Sequence, residues 1–205
     1  MKDIKTLLLV LACAVILFLF FHYQNKITEK DNAYNQLSEL TGNKQMKEEF
    51  YSFNFRLNNQ MSGLIAPAVS YRNIGDDKKD KFLPDLIQKK PLLIYRFTDM
   101  NCKVCYETEI KALQEEFADV PELVTILCSY RVDQHFEEFK KMNQIKLPIY
   151  RISHNSFHWI AEDYYNPYYF VLHPGMKISN IYVPNRDFPE LNKQYLEGVK
   201  RLLSE

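Results

Sequence analysis

Residues 91–117 read PLLIYRFTDMNCKVCYETEIKALQEEF. The run from Leu92 to Phe97 holds large aliphatic and aromatic residues, with Pro91 before it and Thr98-Asp99 after it. That composition predicts a buried strand. Cys102-Lys103-Val104-Cys105 follows at once. Beyond it Val104, Ile110, Leu113 and Phe117 stand apolar among Glu and Lys at close to helical spacing, so a helix is expected to open at the cysteines. A CxxC on the first turn of a helix that follows a buried strand is a redox signature.

The chemistry behind the signature follows from the helix start. Its unpaired backbone N–H groups and partial positive charge both stabilise an anion. Cys102, at or near the N-cap, is therefore expected to be partly thiolate near neutral pH. It is the candidate nucleophile on a substrate disulfide, and Cys105, one turn inward, is the candidate to resolve the mixed disulfide. Lys103 between them adds a modest further pull toward thiolate.

The flanks supply further elements. Residues 123–129 (LVTILCS) predict a second buried strand, with Cys128 a small apolar core residue. Asp133 is placed as the cap of a helix carrying Phe136, Phe139 and Met142, and residues 147–152 predict a third strand. Residues 168–173 and 177–183 predict a hairpin around His173-Pro174-Gly175-Met176. A last helix, residues 188–203, is expected to bury Leu191, Tyr195, Leu196, Val199 and Leu203. Upstream, residues 64–71, with Pro67 inside, look extended and edge-like. Residues 73–81 (NIGDDKKDK) read as a turn or exposed loop and residues 82–87 as a single helical turn.

The amino end has another character. Lys2 and Lys5 precede residues 6–21, which carry no charge, and with His22 and Tyr23 the apolar span is just long enough to cross a bilayer at ~1.5 Å per residue. No small residues follow the apolar core, as a cleaved signal would require, so residues 1–23 are read as an uncleaved transmembrane anchor. Val10-Leu11-Ala12-Cys13 has the look of a lipoprotein box, but the apolar run continues well past Cys13. The flanking lysines place the amino end in the cytoplasm and the rest outside it. No N-x-S/T sequon occurs, so a bacterial periplasm is the expected compartment. Residues 24–62 are polar with apolar residues at intervals of three and four and a break expected at Thr41-Gly42-Asn43. They form either a juxtamembrane helical stalk or an extra helix packed on the domain, which residues 63–205 make up.

The chain has 205 residues, enough for one ordinary domain and an appendage. Its 26 basic and 26 acidic residues cancel, which argues against nucleic acid as a partner. No P-loop, nucleophile elbow or glycine-rich dinucleotide loop is present, so no cofactor is expected.

The order βαβαβ, a hairpin and a helix, with the CxxC after the first of these strands, resembles the thioredoxin-like superfamily. The chain is similar in particular to the membrane-anchored TlpA/ResA-like thiol–disulfide oxidoreductases of bacteria. Asn166-Pro167-Tyr168, followed by FVLHPGMKI, carries the rest of the likeness, which covers residues 63–205. It implies an α/β fold with a central mixed sheet flanked by helices. It also implies a cis Pro167 that forms, with Asn166, a substrate-docking lip against the cysteines. The implied partners are exported protein thiols and disulfides and a membrane electron-transfer protein. Two departures stand out. Family members commonly have an aromatic residue before the first cysteine and often a proline between the two, where this chain has Asn101 and Lys103-Val104. Thioredoxins proper carry a buried carboxylate six positions before the first cysteine, where this chain has Arg96. A guanidinium does not act as a base at neutral pH, but its charge would favour either thiolate, so Arg96 joins Lys103 as a candidate for tuning the pair. The alternative has Arg96 paired with Glu107 or Glu109.

Two other functions stay open. Cys102 and Cys105, with His158 or the pair His154-x3-His158, supply soft ligands for copper or zinc, although zinc-finger spacing wants a far shorter gap. A redox-silent interaction domain would use the stalk and the aromatic tract NSFHWIAEDYYNPYY, residues 155–169.

Overall fold

A computed structural model describes residues 41–72, 81–87, 90–154, 156–164 and 166–205, with the single residues 17, 21, 24, 26 and 30. Among the described residues no helix is long and apolar enough to cross a membrane. The anchor read at residues 1–23, residues 24–40 of the stalk and residues 73–80 of the loop read at 73–81 lie outside them, apart from the single residues named.

The chain forms two compact units, Met1–Phe50 and Tyr51–Glu205. In the first, residues 41–50 are helical, Gly42 included, so the break expected at Thr41-Gly42-Asn43 does not occur. An interior glycine costs a helix about 1 kcal/mol relative to alanine, which weakens it without ending it.

The second unit opens with a helix, α1 (residues 51–61). Short strands β1 (Ser70–Arg72) and β2 (Lys81–Phe82) and a single turn α2 (Leu83–Leu86) follow. Then come β3 (Leu92–Thr98), α3 (Lys103–Glu116), a 3-10 turn, β4 (Val124–Ser129), α4 (Asp133–Met142) and β5 (Ile149–Ile152). The chain ends with α5 (Ile160–Asp163), β6 (Tyr168–Leu172), β7 (Ile178–Tyr182) and α6 (Pro189–Ser204). The strands make one mixed sheet in the order β2-β1-β5-β4-β3-β6-β7. The crossover helices α3 and α4 let β3, β4 and β5 run parallel, while β6 and β1 pair antiparallel to the outer members of that trio. The hairpin turns at Gly175, whose φ of 83° suits a residue without a side chain.

Strand β3 lies inside the sheet, and its side chains alternate between two cores. Leu93, Tyr95 and Phe97 face a core shared with α3, α4 and α6. Ile94 faces the other, which includes Leu83 of α2, Ala161 of α5 and Leu57 and Met61 of α1. Burial on both faces explains why β3 reads as an unbroken apolar run rather than an alternating one. Some boundaries differ from the sequence expectation for local reasons. Strand β5 begins after Pro148, which has no N–H for a ladder. Asp133 is the first residue of α4 rather than its cap; Val132 holds the cap position, and Asp133 forms an ion pair with Arg151 of β5. Met142 is exposed, because steps of three drift off a helix face that repeats every 3.6 residues.

Helix α1 belongs to the packed unit, as the extra-helix alternative for this part of the segment 24–62 requires. It closes the β7 edge of the sheet. Asn54 Oδ1 accepts from Val183 N at 2.7 Å while Asn54 Nδ2 donates to Val183 O at 3.3 Å. Asn58 Oδ1 accepts from Ile181 N at 3.0 Å. Side-chain amides thus complete a strand edge that would otherwise offer its backbone to another chain. Asn54→Ala is expected to lower unfolding stability by about 1–3 kcal/mol, because a buried backbone pair loses both partners. A urea titration gives the loss, and faster exchange of the Val183 amide locates it.

A buried polar network joins three elements behind the cysteine helix. Glu109 of α3 accepts from Tyr169 Oη of β6 at 2.7 Å and from Asn192 Nδ2 of α6 at 2.9 Å. Asn192 accepts in turn from Tyr182 Oη at 2.9 Å. Burial raises the Glu109 carboxyl above its usual value of 4.5, and the two hydrogen bonds oppose part of that rise. The folded state then binds this proton more tightly than the unfolded chain does. Stability from this group is accordingly full below about 4.5 and lost as pH rises through the raised folded value. Glu109→Gln should remove that fall, leaving the urea midpoint flatter over the window than in the unmodified protein.

Candidate active site

The end of β3 and the turn after it set the position of the cysteines. Asp99 N donates to Ser129 O at 2.9 Å, tying the turn to β4. Thr98 N donates to Asn101 Oδ1 at 2.6 Å and Asn101 N donates to Thr98 O at 3.1 Å. Asn101 therefore closes the turn at the position where an aromatic residue is usual among the proteins the sequence resembles. Cys102 follows as the N-cap of α3. Its sulfur accepts from Cys105 N at 3.4 Å, so a free helix N–H points at the atom that would carry the charge. The two sulfurs are bonded to each other across a Cα–Cα distance of 5.2 Å, within the ordinary range for a disulfide. Cys102 is exposed and Cys105 half-buried. Met100 and Val104, 56% and 63% exposed, present apolar surface beside them.

Arg96 points to the sheet face opposite α3. It is 1% exposed. Its Nε donates to Glu162 Oε1 of α5 at 3.0 Å and its Nη1 to Phe97 O at 2.5 Å. Its partner is therefore Glu162 and neither Glu107 nor Glu109. Glu109 is occupied by Tyr169 and Asn192, while Glu107 lies 3.9 Å from Lys103. That last pair is largely solvent-exposed on the lysine side, which makes it weak.

Arg96, Glu162 and Tyr168 form the inner part of a cavity of about 500 Å³, and Asn101, His158 and Asn166 line it as well. The residue before Cys102 and the residue before Pro167 thus border the same space. Burial holds the Tyr168 phenol well above its usual range, and the Glu162 charge adds to that. Pro167 is buried just before β6, and its peptide bond is trans. The cis form implied by the resemblance is not adopted: a strand-initiating proline has only to do without an N–H, and trans remains the lower-energy isomer by about 0.5–1 kcal/mol.

His154 and His158 both line this cavity. His158 is exposed, with φ of 52°, and His154 Nε2 lies 3.3 Å from Asp99 Oδ1. Among the described residues no three His, Cys, Asp or Glu side chains gather as a metal site would require. The aromatic tract is mostly packing rather than surface. Phe157 and Trp159 stack at 4.4 Å in the second core, Tyr168 and Tyr169 are buried, and Tyr164 is exposed. Sequence reasoning missed Glu162, Trp159 and Tyr168. The one available signal was Arg96 itself, since a charge inside an apolar strand requires a buried counter-charge.

No protein-family model matches the chain, and no curated protein is similar to it in sequence. Solved structures do match in shape. A thiol:disulfide interchange protein from Bacteroides sp. superposes with a TM-score of 0.54 over 70% of this chain and 91% of its own, at 13% identity. The thioredoxin domain of a thiol-disulfide oxidoreductase from Bacteroides vulgatus gives 0.52 over 69% and 97%, also at 13% identity. At such identity the likeness is one of fold. The chain has the thioredoxin-like α/β fold, a mixed sheet flanked by helices with a bonded CxxC at the start of the helix after β3.

Proposed function

We propose that this protein is a membrane-tethered, extracytoplasmic thiol–disulfide oxidoreductase acting on exported proteins. The observation that carries the redox part is the bonded pair Cys102–Cys105 with its outer sulfur exposed at a helix N-terminus. In the reduced enzyme the Cys102 thiolate attacks a substrate disulfide, forming one S–S bond as the substrate's bond breaks and a substrate thiolate leaves. Cys105 then gives up its proton and attacks the mixed disulfide at Cys102. The enzyme disulfide forms, the second substrate thiol departs, and two electrons have passed to the substrate. The reverse sequence oxidises a dithiol. Asn166 and Pro167 form the docking lip, while Arg96 and Lys103 contribute at most a small bias toward thiolate, since each shares its charge with a carboxylate, Glu162 and Glu107.

The tether rests on the uncharged run 6–21, and the compartment on the lysines before it. Residues 1–23 act as the anchor, and the juxtamembrane segment after it lifts the packed unit off the bilayer. A membrane redox protein supplies or accepts the electrons.

Trapping tests the roles of the two sulfurs. Cys105→Ser should accumulate a mixed disulfide with exported thiol proteins, visible as a reducible band shift. Cys102→Ser should trap none and exchange thiols only at the background rate. A stable adduct on Cys102→Ser, or cycling in its absence, would sink the assignment.

A further inference from the structure

Arg131, in the connection between β4 and α4, grips the cysteine turn twice. Its backbone N–H donates to Asp99 Oδ2 at 3.0 Å, and its Nη2 donates to the sulfur of Met100 at 3.1 Å. Met100 is exposed, precedes Asn101 and Cys102 directly in the chain, and borders the same cavity as Asn101 and Arg131. A thioether is a weak acceptor, so the guanidinium gains little from this contact as it stands. It would gain far more if the sulfur carried an oxygen, because a sulfoxide oxygen is a full acceptor and a charged donor makes the stronger hydrogen bond.

The sulfur is also open to the chemistry that adds one. A thioether has two lone pairs. Arg131 draws on one, and the exposed side chain leaves the other to solvent. Competing sulfurs are quiet in the disulfide form: Cys102 and Cys105 are bonded to each other, and Cys128 is buried with its thiol pushed far from ionisation by that burial. Among the described methionines, Met61 is 1% exposed and Met142 is 68% exposed. Met142 therefore matches Met100 in access but lies away from the cavity lining, which makes it an internal control.

We propose that Met100 is a redox-modification site: a hydroperoxide converts its thioether to a sulfoxide, whose oxygen Arg131 then holds. One oxygen atom passes to sulfur, the S–O bond forming as the O–O bond of the hydroperoxide breaks. Methionine loses two electrons, and the hydroperoxide leaves as an alcohol or, from hydrogen peroxide, as water. A methionine sulfoxide reductase reverses the step. The apolar surface that Met100 and Val104 present beside Cys102 then contains a polar side chain pinned to Arg131. Docking of a polypeptide weakens, while the chemistry of the two cysteine sulfurs stands. This consequence deepens the thiol–disulfide reading and rests on it; the modification itself does not.

The full-length disulfide form, in detergent and with its free thiols alkylated, is treated with hydrogen peroxide and mapped by peptide mass spectrometry. Met100 and Met142 should each gain an oxygen and Met61 should be spared. Amide exchange across residues 98–101 should then slow, and should not slow in Arg131→Leu, which keeps the backbone bond to Asp99. After peroxide is removed, the cysteine pair is reduced with dithiothreitol, and reduction of insulin and of oxidised glutathione is followed. The sulfoxide form should reduce insulin at least about 5-fold more slowly, as part of a methionine's apolar burial is given up, while the glutathione rate changes by less than about 2-fold. Met100→Leu should make the insulin rate indifferent to peroxide, and Met142→Leu should not. An unoxidised Met100 beside an oxidised Met142 overturns the proposal, as does unaltered amide exchange, an unaltered insulin rate or equal slowing on both disulfides. If the untreated protein reduces neither probe, the oxidoreductase reading falls, and a sulfoxide with Arg131-dependent protection upholds the site alone.

Discussion

Strand β3 has a hydrogen-bonded neighbour on each side, β4 and β6, and a core against each face. It cannot slide by one residue without sending Leu93, Tyr95 and Phe97 to the wrong core, because side chains alternate strictly along a strand. That constraint fixes where the chain leaves the sheet, at Thr98, and the Thr98–Asn101 hydrogen bonds fix how it turns. Cys102 then falls at the helix cap as a consequence of packing rather than of any local preference of cysteine. The same register assigns Arg96 to the face away from α3, where Glu162 of α5 meets it.

The Arg96–Glu162 pair is a poor way to stabilise a sheet. Removing two charges from water costs several kcal/mol per ion, and apolar replacements of such pairs are often neutral or better by about 1–4 kcal/mol. The pair here is bonded through one nitrogen and one oxygen of the available fork, so it does not use the bidentate geometry that would best offset desolvation. Its position is its distinction, since it lies inside the cavity that Asn101 and Asn166 also border.

The sequence made some parts legible and hid others for identifiable physical reasons. Periodicity disclosed β3, α3, β4 and α6 because each buries a face or a run long enough to repeat. The CxxC was legible for a different reason, since its spacing is itself the chemistry. Proline and helix-edge details were less visible: Pro148 shortens β5, and Asp133 serves Arg151 rather than its own helix end. The partner of Arg96 could not be read at all. Glu107 and Glu109 were close in sequence, but the helix aims them at Lys103 and at Tyr169 with Asn192, and only the α5 turn brings Glu162 across. Of the residues named from sequence, Arg96, Asn101, His154, His158 and Asn166 share one cavity, while Lys103 lies outside its lining.

Exposure also orders the chemistry without appeal to any relative. An incoming disulfide needs to approach along the S–S axis of its own bond, so the attacking sulfur must be open to solvent on that side. Cys102 is, and Cys105, half-buried on the first turn behind it, is shielded from a polypeptide yet within bonding distance of its neighbour. In the proposed exchange, a mixed disulfide at Cys102 would lie within one helical turn of the second thiol, and closure would be an intramolecular step with the entropy of approach already spent. Lys103 adds little to this, because its charge is exposed and already shared with Glu107. The Cys105 N–H aimed at the Cys102 sulfur is partly shielded from water and fixed by the helix. Of the two influences on the anion, the backbone is therefore the stronger, and it survives any exchange of the two residues between the cysteines that keeps the helix.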